Sequence, residues 1–184
     1  MIIKSIDDYR IPELLKEKKV GIMPTDTLYG VLGKTEEDVV ERIYGIKERD
    51  KEKPFIVLIS SISDLKLFKL KGSSVLKNLW PGEVSVVLPC KNLPYLHRGK
   101  EKIAFRVPES KVLRSIIRKT GPLVAPSANK EGDNPVFDIE EAVSVFGAEV
   151  DFYVDGGTIK GDPSTLVELK NGEVKVLRKG KINL

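Results

Sequence analysis

The sequence predicts an α/β fold, in which one domain spanning residues 1–184 contains a mixed β-sheet of about seven strands with flanking helices. Apolar, β-branched runs alternate with amphipathic segments along the chain, and this order is typical of strands connected by helices. Two alternating segments around Asn171-Gly172 indicate an antiparallel hairpin, so the sheet is mixed. The length of 184 residues fits one hydrophobic core.

The predicted strands are short apolar runs that end at proline, glycine or small polar residues. Six of them read "VGIMPT", "PFIVLIS", "EVSVVLP", "KIAFRVP", "GPLVAP" and "DFYVDGG", and the hairpin reads "STLVELKNGEVKVLR". Proline cannot donate to a sheet ladder, so it ends strand pairing and sets the direction in which the chain leaves the sheet.

The predicted helices show apolar residues at helical spacing. In "TEEDVVERIYGIK", Thr35 is the predicted N-cap and acidic residues fill the first turn. In "DIEEAVSVFG", Asp138 is the predicted N-cap, Glu141 stands at the capping-box position and Gly147 ends the helix. Shorter helices are predicted for "SISDLKLF", "SSVLKNLW" and residues 111–119.

Three strands are followed by loops rich in small polar residues, which read "PTDTLYG", "PSANKEGDNP" and "DGGTIKGDPST". Each loop alone is compatible with an ordinary turn. Because ligands of α/β sheets bind where strands end, three such loops together favour a pocket for a small polar ligand that carries phosphates. The sequence has neither a P-loop nor a Rossmann glycine fingerprint, so clustered cations would have to hold the phosphates.

The candidate cations follow from the run "KERDKEK" and from two later strands. Lys47, Arg49 and Lys53 precede an apolar strand, and Arg178 ends the hairpin. Arg106 stands between apolar residues of another strand, where it either faces solvent or offers its donor fork to an anion in a cleft.

Composition excludes several classes of protein. The chain has one histidine, His97, and one cysteine, Cys90, so an intrachain disulfide, a cysteine metal cluster and most histidine-based triads are excluded. We expect His97 to be solvated and Cys90 to be a core residue. The net charge of +4 is compatible with an anionic ligand or RNA. No apolar run is long enough to span a membrane, and we expect a cytoplasmic protein.

The order of seven short motifs resembles the YrdC-like family of threonylcarbamoyl-AMP synthases. These motifs are "MPTDTLYG", "IKER…KP", "WPGEVSVVLP", "IAFRVPE", "PLVAPSANKEG", "VDGG…PSTLVE" and "VLRKG". The resemblance implies a twisted mixed sheet around a basic cavity. It also implies an enzyme that converts L-threonine, bicarbonate and ATP, presented with Mg²⁺, into threonylcarbamoyl-AMP and pyrophosphate. Its implied partners are a downstream tRNA-threonylcarbamoyl transferase complex and RNA or tRNA itself.

The resemblance also implies roles for individual residues. The family's K-x-R and S-x-N pairs correspond to Lys47 and Arg49, and to Ser127 and Asn129, which would be catalytic and would bind ATP. The further positions implied for ATP are Lys53, Lys102, Pro135 and Arg178, and those implied for L-threonine are Thr27, Arg106, Ala125 and Ser164. No protein ligand for a metal is implied.

One departure from the family pattern and three alternative functions remain at this point. The family usually has proline after the arginine of K-x-R, where this chain has Asp50. An RNA-binding module is the main alternative, although aromatic residues make up only 7% of the chain and form no recognisable stacking platform. A carbamoyl-transfer domain of hydrogenase-maturation proteins and a ribulose-phosphate-cleaving synthase are disfavoured, because their cysteine and acidic metal motifs are missing.

Overall fold

A computed structural model describes residues 1–170 and 172–183 of the protein. The strands are β1 Ile2–Ile3, β2 Gly21–Pro24, β3 Tyr29–Lys34, β4 Ile56–Leu58, β5 Val84–Pro89, β6 Lys102–Arg106, β7 Leu123–Val124, β8 Phe152–Val154, β9 Thr165–Lys170 and β10 Glu173–Arg178. The helices are α1 Arg10–Lys16, α2 Glu37–Lys47, α3 Ser74–Leu79, α4 Pro94–His97, α5 Lys111–Thr120 and α6 Ile139–Phe146, with a 3₁₀ helix at Ile62–Phe68.

The strands form one mixed sheet in the order β1-β8-β2-β3-β7-β4-β6-β5-β9-β10. The sheet contains both parallel pairs, such as β4–β6, and antiparallel pairs, such as β5–β6, so the predicted mixed α/β class is confirmed. The hairpin of β9 and β10 is also confirmed, although Asn171 of its predicted turn lies outside the described residues.

Within the described residues the sheet has ten strands rather than about seven, mainly because sequence patterns miss β1 and β3. β1 is only two residues long. β3 contains Gly30 and Gly33, which weaken a strand signal. The structure shows why small residues stand there: a Cβ at Gly33 would lie 2.6 Å from the side chain of Val39 on α2. Glycine therefore lets α2 pack directly on the sheet.

The predicted cap of α2 is wrong, whereas that of α6 is confirmed. The N-cap of α2 is Glu36, one residue after the predicted Thr35, and its backbone is extended. The carbonyl of Thr35 accepts a hydrogen bond from the Tyr95 hydroxyl at 2.9 Å. In α6, the Asp138 carboxylate accepts from the backbone N–H of Glu141 at 2.9 Å. Glu141 in turn accepts from the N–H of Phe137 rather than that of the cap residue.

Helices cover both faces of the sheet. α1 and α5 pack on one face, where Leu15 and Leu113 are completely buried, while α2 and α6 pack on the other. Cys90 lies in the core as predicted, but the prediction that His97 is solvated is wrong. The His97 ring is buried, and its Nδ1 is satisfied there by hydrogen bonds from the N–H groups of Gly99 and Glu101. Among the described residues, no helix has both the length and the apolar character needed to cross a bilayer.

Gly21 of β2 provides a test of the sheet register. Its direct partner on β8 is Phe152, and a Cβ at Gly21 would overlap the Phe152 ring. We expect Gly21→Ala to lower the free energy of unfolding by about 1–3 kcal/mol in urea denaturation. Gly45→Ala on the exposed surface of α2 is the control, and it should be neutral or stabilising by roughly 0.5–1 kcal/mol. Equal effects of the two substitutions would contradict this register.

Candidate active site

Two adjoining cavities open where the predicted polar loops meet. The first has a volume of about 490 Å³, including space open to solvent, and is lined by Thr25, Thr27, Leu28, Tyr29, Gly30, Ile56, Leu58, Arg106, Ala125, Ser127, Pro163, Ser164 and Arg178. The second has a volume of about 560 Å³, measured in the same way, and is lined by Arg49, Pro54, Phe55, Ile56, Ala104, Pro126, Ser127, Leu166 and Arg178. Because Ile56, Ser127 and Arg178 line both, the cavities are two parts of one cleft. The cleft brings all three loops together, as the sequence predicts.

Arg106 lines the first cavity together with Thr27 and Ser164. All three residues are buried, so we call the first cavity the closed end of the cleft and the second cavity its outer part. The Arg106 side chain is 5% exposed, so of the two alternatives the solvent-facing one is wrong. One terminal nitrogen forms an ion pair with Asp26, and the other donates to Thr27 Oγ1 at 3.0 Å. Burial lowers the pKa of the guanidinium, whereas the Asp26 charge opposes that shift. Arg106 Nε is buried without a hydrogen-bond partner among the described residues. A buried, incompletely satisfied guanidinium is suited to bind a small carboxylate.

The loop after β2 is held in shape by its own threonines. Thr25 Oγ1 donates to the carbonyl of Leu28 at 2.7 Å and accepts from two backbone N–H groups of the loop. Asp26 accepts a further bond from the N–H of Glu109 at 2.8 Å, which ties the loop to the end of β6. Thr27 is therefore presented to the cleft by a rigid turn.

Lys47 is the most deeply buried cation of the site. Its ammonium donates to the carbonyls of Ser127 and Asn129, each at 2.5 Å, and to Asn129 Oδ1 at 3.3 Å. The sequence-predicted K-x-R and S-x-N pairs are thus in contact. Lys47 does not line the cleft but lies behind the Ser127–Asn129 loop, so its predicted contact with a triphosphate stays a prediction.

A second lysine makes the reciprocal contact. Lys130 Nζ donates to the carbonyl of Ile46 at 2.7 Å, and the N–H of Glu131 donates to the carbonyl of Lys47 at 2.9 Å. These are carbonyls of the last turn of α2, which have no partner within the helix. The end of α2 and the loop that carries Ser127 therefore hold each other in place.

Arg49 and Arg178 face each other across the outer part of the cleft. Arg178 donates to the carbonyl of Ser164 at 2.9 Å, and Arg49 donates to the carbonyl of Lys53 at 3.3 Å. Burial lowers the pKa of Arg178, and the neighbouring charge of Arg49 lowers it further. Two guanidinium groups that repel each other favour an anion between them.

The remaining predicted residues lie around this centre. Ala125 and Ser164 line the cleft, and Ser164 Oγ lies 2.8 Å from Ser85 Oγ. Lys53, Lys102, Asn129 and Pro135 line neither cavity. Lys53 forms an ion pair with Glu131, Lys102 pairs with Glu168 at 2.7 Å, and Pro135 precedes a residue that hydrogen-bonds Ala128.

Sequence reasoning misses the residues that hold the site together. Asp26 has no assigned role although it stands inside a quoted motif between two threonines. Tyr29 is also missed: its hydroxyl donates to the carbonyl of Gly157 and accepts from the N–H of Gly156, both at 2.8 Å, which fixes the loop after β8. An acid beside a strand-end threonine is the one signal that could have identified Asp26.

The cleft does not provide a site for a resident metal. In residues 1–170 and 172–183, no three His, Cys, Asp or Glu side chains are placed to hold a metal ion. The polar side chains that line the cleft are hydroxyls and guanidinium groups, and Mg²⁺ prefers carboxylate, phosphate and water oxygens.

Comparison with known proteins identifies the family. A model of the Sua5/YciO/YrdC family, described as "Telomere recombination", matches residues 13–180. The chain belongs to this family. It is 34% identical to a Bacillus subtilis protein named threonylcarbamoyl-AMP synthase over 92% of this chain and 52% of that protein. It is 33% identical to a Pseudoalteromonas translucida protein of the same name over 87% of this chain and 91% of the other.

A solved structure of the family has the same fold. The Pyrococcus abyssi Sua5 structure complexed with L-threonine superposes with a TM-score of 0.88 at 26% identity, over 98% of this chain and 57% of that chain. The present chain therefore spans little more than half the length of the Bacillus and Pyrococcus proteins, and nearly the whole of the Pseudoalteromonas protein.

The buried Lys47 predicts a pH dependence of stability. Burial, reinforced by the charge of Arg49, lowers the pKa of its ammonium from 10.5 to about 7. Between about pH 7 and pH 10.5 Lys47 is protonated in the unfolded chain but not in the folded chain, so the free energy of unfolding increases with pH. Below about pH 7 both states are protonated and the contribution is flat.

We expect this rise to be missing in Lys47→Met when urea denaturation is followed from pH 6.5 to 9.5. Lys66→Met is the matched control, because Lys66 is an exposed lysine, and it should keep the wild-type slope. Parallel curves for Lys47→Met and wild type would show that the Lys47 charge is not suppressed in the folded protein.

Proposed function

We propose that the protein synthesises threonylcarbamoyl-AMP from L-threonine, bicarbonate and ATP. The observation that carries this proposal is the division of the cleft, with the buried Arg106 at its closed end and the Arg49–Arg178 pair at its outer end. One end suits an amino-acid carboxylate and the other suits phosphates. The names of the relatives and the L-threonine bound to the Pyrococcus protein support the same assignment.

L-Threonine would occupy the closed end of the cleft. Arg106 would bind its carboxylate, with the guanidinium oriented by Asp26. The hydroxyls of Thr27 and Ser164 would bind the polar groups of the amino acid, and Ala125 would lie against its side chain.

ATP would occupy the outer part of the cleft. Arg49 and Arg178 would bind the triphosphate, and Ser127 would hydrogen-bond the nucleotide. Asn129 would support Ser127, whose hydroxyl donates to Asn129 Oδ1 at 2.6 Å. Lys47 would keep the Ser127–Asn129 loop in position. Lys53, Lys102 and Pro135 would lie on the nucleotide side, at the periphery of the cleft. Magnesium would arrive with ATP, held by phosphate and water oxygens.

The cleft explains how two anions could react. The amine of L-threonine would react with bicarbonate to form a carbamate with release of water. A carbamate oxygen would then attack the α-phosphorus of ATP as pyrophosphate leaves. In water the two anions repel each other. Arg106 and the Arg49–Arg178 pair would hold them at contact distance and stabilise the charge that moves onto pyrophosphate. This route needs no covalent nucleophile from the protein.

The further role is inferred from the chemistry of the product. Threonylcarbamoyl-AMP is a reactive mixed anhydride, so a downstream tRNA-threonylcarbamoyl transferase would consume it to modify tRNA. We propose that this reaction takes place in the cytoplasm. Direct RNA binding, the alternative from the sequence, gains no specific support from the cleft, whose size and polar groups suit small molecules.

One assay tests the proposal directly. Protein, ATP, magnesium, bicarbonate and L-threonine are incubated, and threonylcarbamoyl-AMP is measured by mass spectrometry alongside pyrophosphate. We expect Arg106→Lys to lower kcat/KM about 100- to 1000-fold, mainly through the KM for L-threonine, because lysine lacks the planar fork. Arg49→Lys should act mainly on the KM for ATP.

Arg118→Lys, on the exposed surface of α5, is the control and should retain full activity. The proposal fails if wild-type protein forms no adenylate. It also fails if the protein shows strongly salt-dependent RNA binding without threonine-dependent ATP turnover, which would favour the RNA-binding alternative.

A further inference from the structure

The carboxylate of Glu131 lies among the donors of the loop that follows α2. Glu131 forms an ion pair with Lys53 and accepts a hydrogen bond from the backbone N–H of Asp50 at 2.5 Å. The pKa of Glu131 is lowered first by the Lys53 hydrogen bond and then by the Asp50 N–H, with a further contribution from the charge of Arg49. The Glu131 carboxylate is thus bound by an ammonium and a backbone N–H and is stabilised by the charge of a nearby guanidinium.

This donor set is one that would also bind a phosphate. Phosphate oxygens are recognised in proteins by ammonium groups, guanidinium groups and backbone N–H groups acting together. Arg49 lines the outer part of the cleft, and Lys53 follows it by four residues on the same loop. The loop itself is fixed, because the carbonyl of Lys53 accepts hydrogen bonds from the hydroxyl of Tyr44 at 2.9 Å and from Arg49.

Glu131 is anchored by its backbone and not by its side chain alone. Its N–H donates to the carbonyl of Lys47, so the residue would stay beside the loop if the carboxylate moved away. The side chain is 26% exposed and that of Lys53 is 54% exposed, which leaves both free to change rotamer at the surface. The ion pair can therefore open without disturbing the buried Lys47 contacts.

The Asp50 contact depends on a departure from the family pattern. Proline, which usually follows the arginine of K-x-R, has no backbone N–H to donate. The hydrogen bond from the backbone N–H of residue 50 to Glu131 is possible here because residue 50 is not proline. The Asp50–Glu131 contact is thus a property of this chain.

We propose that Glu131 is an internal substitute for a phosphate group, which holds Lys53 and the Asp50 N–H until a polyphosphate displaces it. The proposal rests on the proposed function, since it assumes that the outer part of the cleft receives the triphosphate. The Glu131 carboxylate would compete with the phosphates and so weaken nucleotide binding, and it would keep the loop of Asp50 and Lys53 ordered when no ligand is bound.

The proposal predicts that Glu131→Gln raises the affinity for ATP but lowers the stability of the ligand-free protein. Glu131→Gln keeps the size of the side chain but removes the charge that competes with phosphate. We expect it to bind ATP roughly threefold to tenfold more tightly, because Lys53 is released to the ligand. The ligand-free protein should at the same time melt at a lower temperature, because the ion pair is lost. If Glu131 only supported the loop, both stability and ATP affinity would fall.

The experiment is isothermal titration calorimetry of ATP, inorganic tripolyphosphate and AMP into wild type, Glu131→Gln and Glu52→Gln. Glu52→Gln is the matched control, because it removes the same charge from an 82% exposed residue of the same loop. We expect Glu131→Gln to tighten ATP and tripolyphosphate but not AMP, and Glu52→Gln to resemble wild type. Unchanged or weaker polyphosphate binding by Glu131→Gln, or equal tightening by Glu52→Gln, would overturn the proposal.

The two levels of inference fail separately. If wild type forms no adenylate but Glu131→Gln still binds tripolyphosphate more tightly than wild type, the proposed function is wrong and the substitution of phosphate by Glu131 stands. If wild type is an active synthase and Glu131→Gln does not bind polyphosphate more tightly, only the present proposal is wrong.

Discussion

The burial of the Lys47 ammonium is the constraint on which the site depends. A nitrogen donor removed from water is costly unless nearby oxygens accept its hydrogen bonds, and a buried polar group left unpaired typically costs about 1–3 kcal/mol, more when it is charged. Here the oxygens are the carbonyls of Ser127 and Asn129 and the side chain of Asn129. A loop that is distant in sequence must therefore return to the end of α2. Lys130, which belongs to the loop, forms the reciprocal contact by donating to the carbonyl of Ile46 at the end of α2.

The cleft follows from this junction. Once the Ser127–Asn129 loop is held against α2, Ser127 faces both parts of the cleft, and Arg49 is placed opposite Arg178. At the closed end, Asp26 satisfies only part of the buried Arg106 guanidinium. The protein thus keeps cations in a partly desolvated space without neutralising them completely. That imbalance is what makes the space suited to anions.

The sequence predicts the class of fold and the neighbourhood of the site better than its internal contacts. Alternation of apolar runs predicts the main strands, and Asp138 is recognisable as a cap from its spacing to Glu141. β3 escapes prediction because its glycines serve packing against α2 rather than strand propensity. The burial of the Lys47 side chain could not be predicted either, because a run of charged residues does not indicate which of them is buried. Its contact with Asn129 joins residues that are 82 positions apart, and only the folded topology sets that contact.

The central claim is that the Lys47 ammonium holds the loop that carries Ser127. Native-state hydrogen exchange in Lys47→Met tests it most directly, with the amides of Ala128, Glu131 and Val136 as reporters, since each donates to a backbone carbonyl at this junction. The account predicts that these amides exchange at least tenfold faster than in wild type, while amides paired between β5 and β6 keep their protection. Unchanged exchange at the three reporters would contradict it, because the loop would then be held without the hydrogen bonds of Lys47.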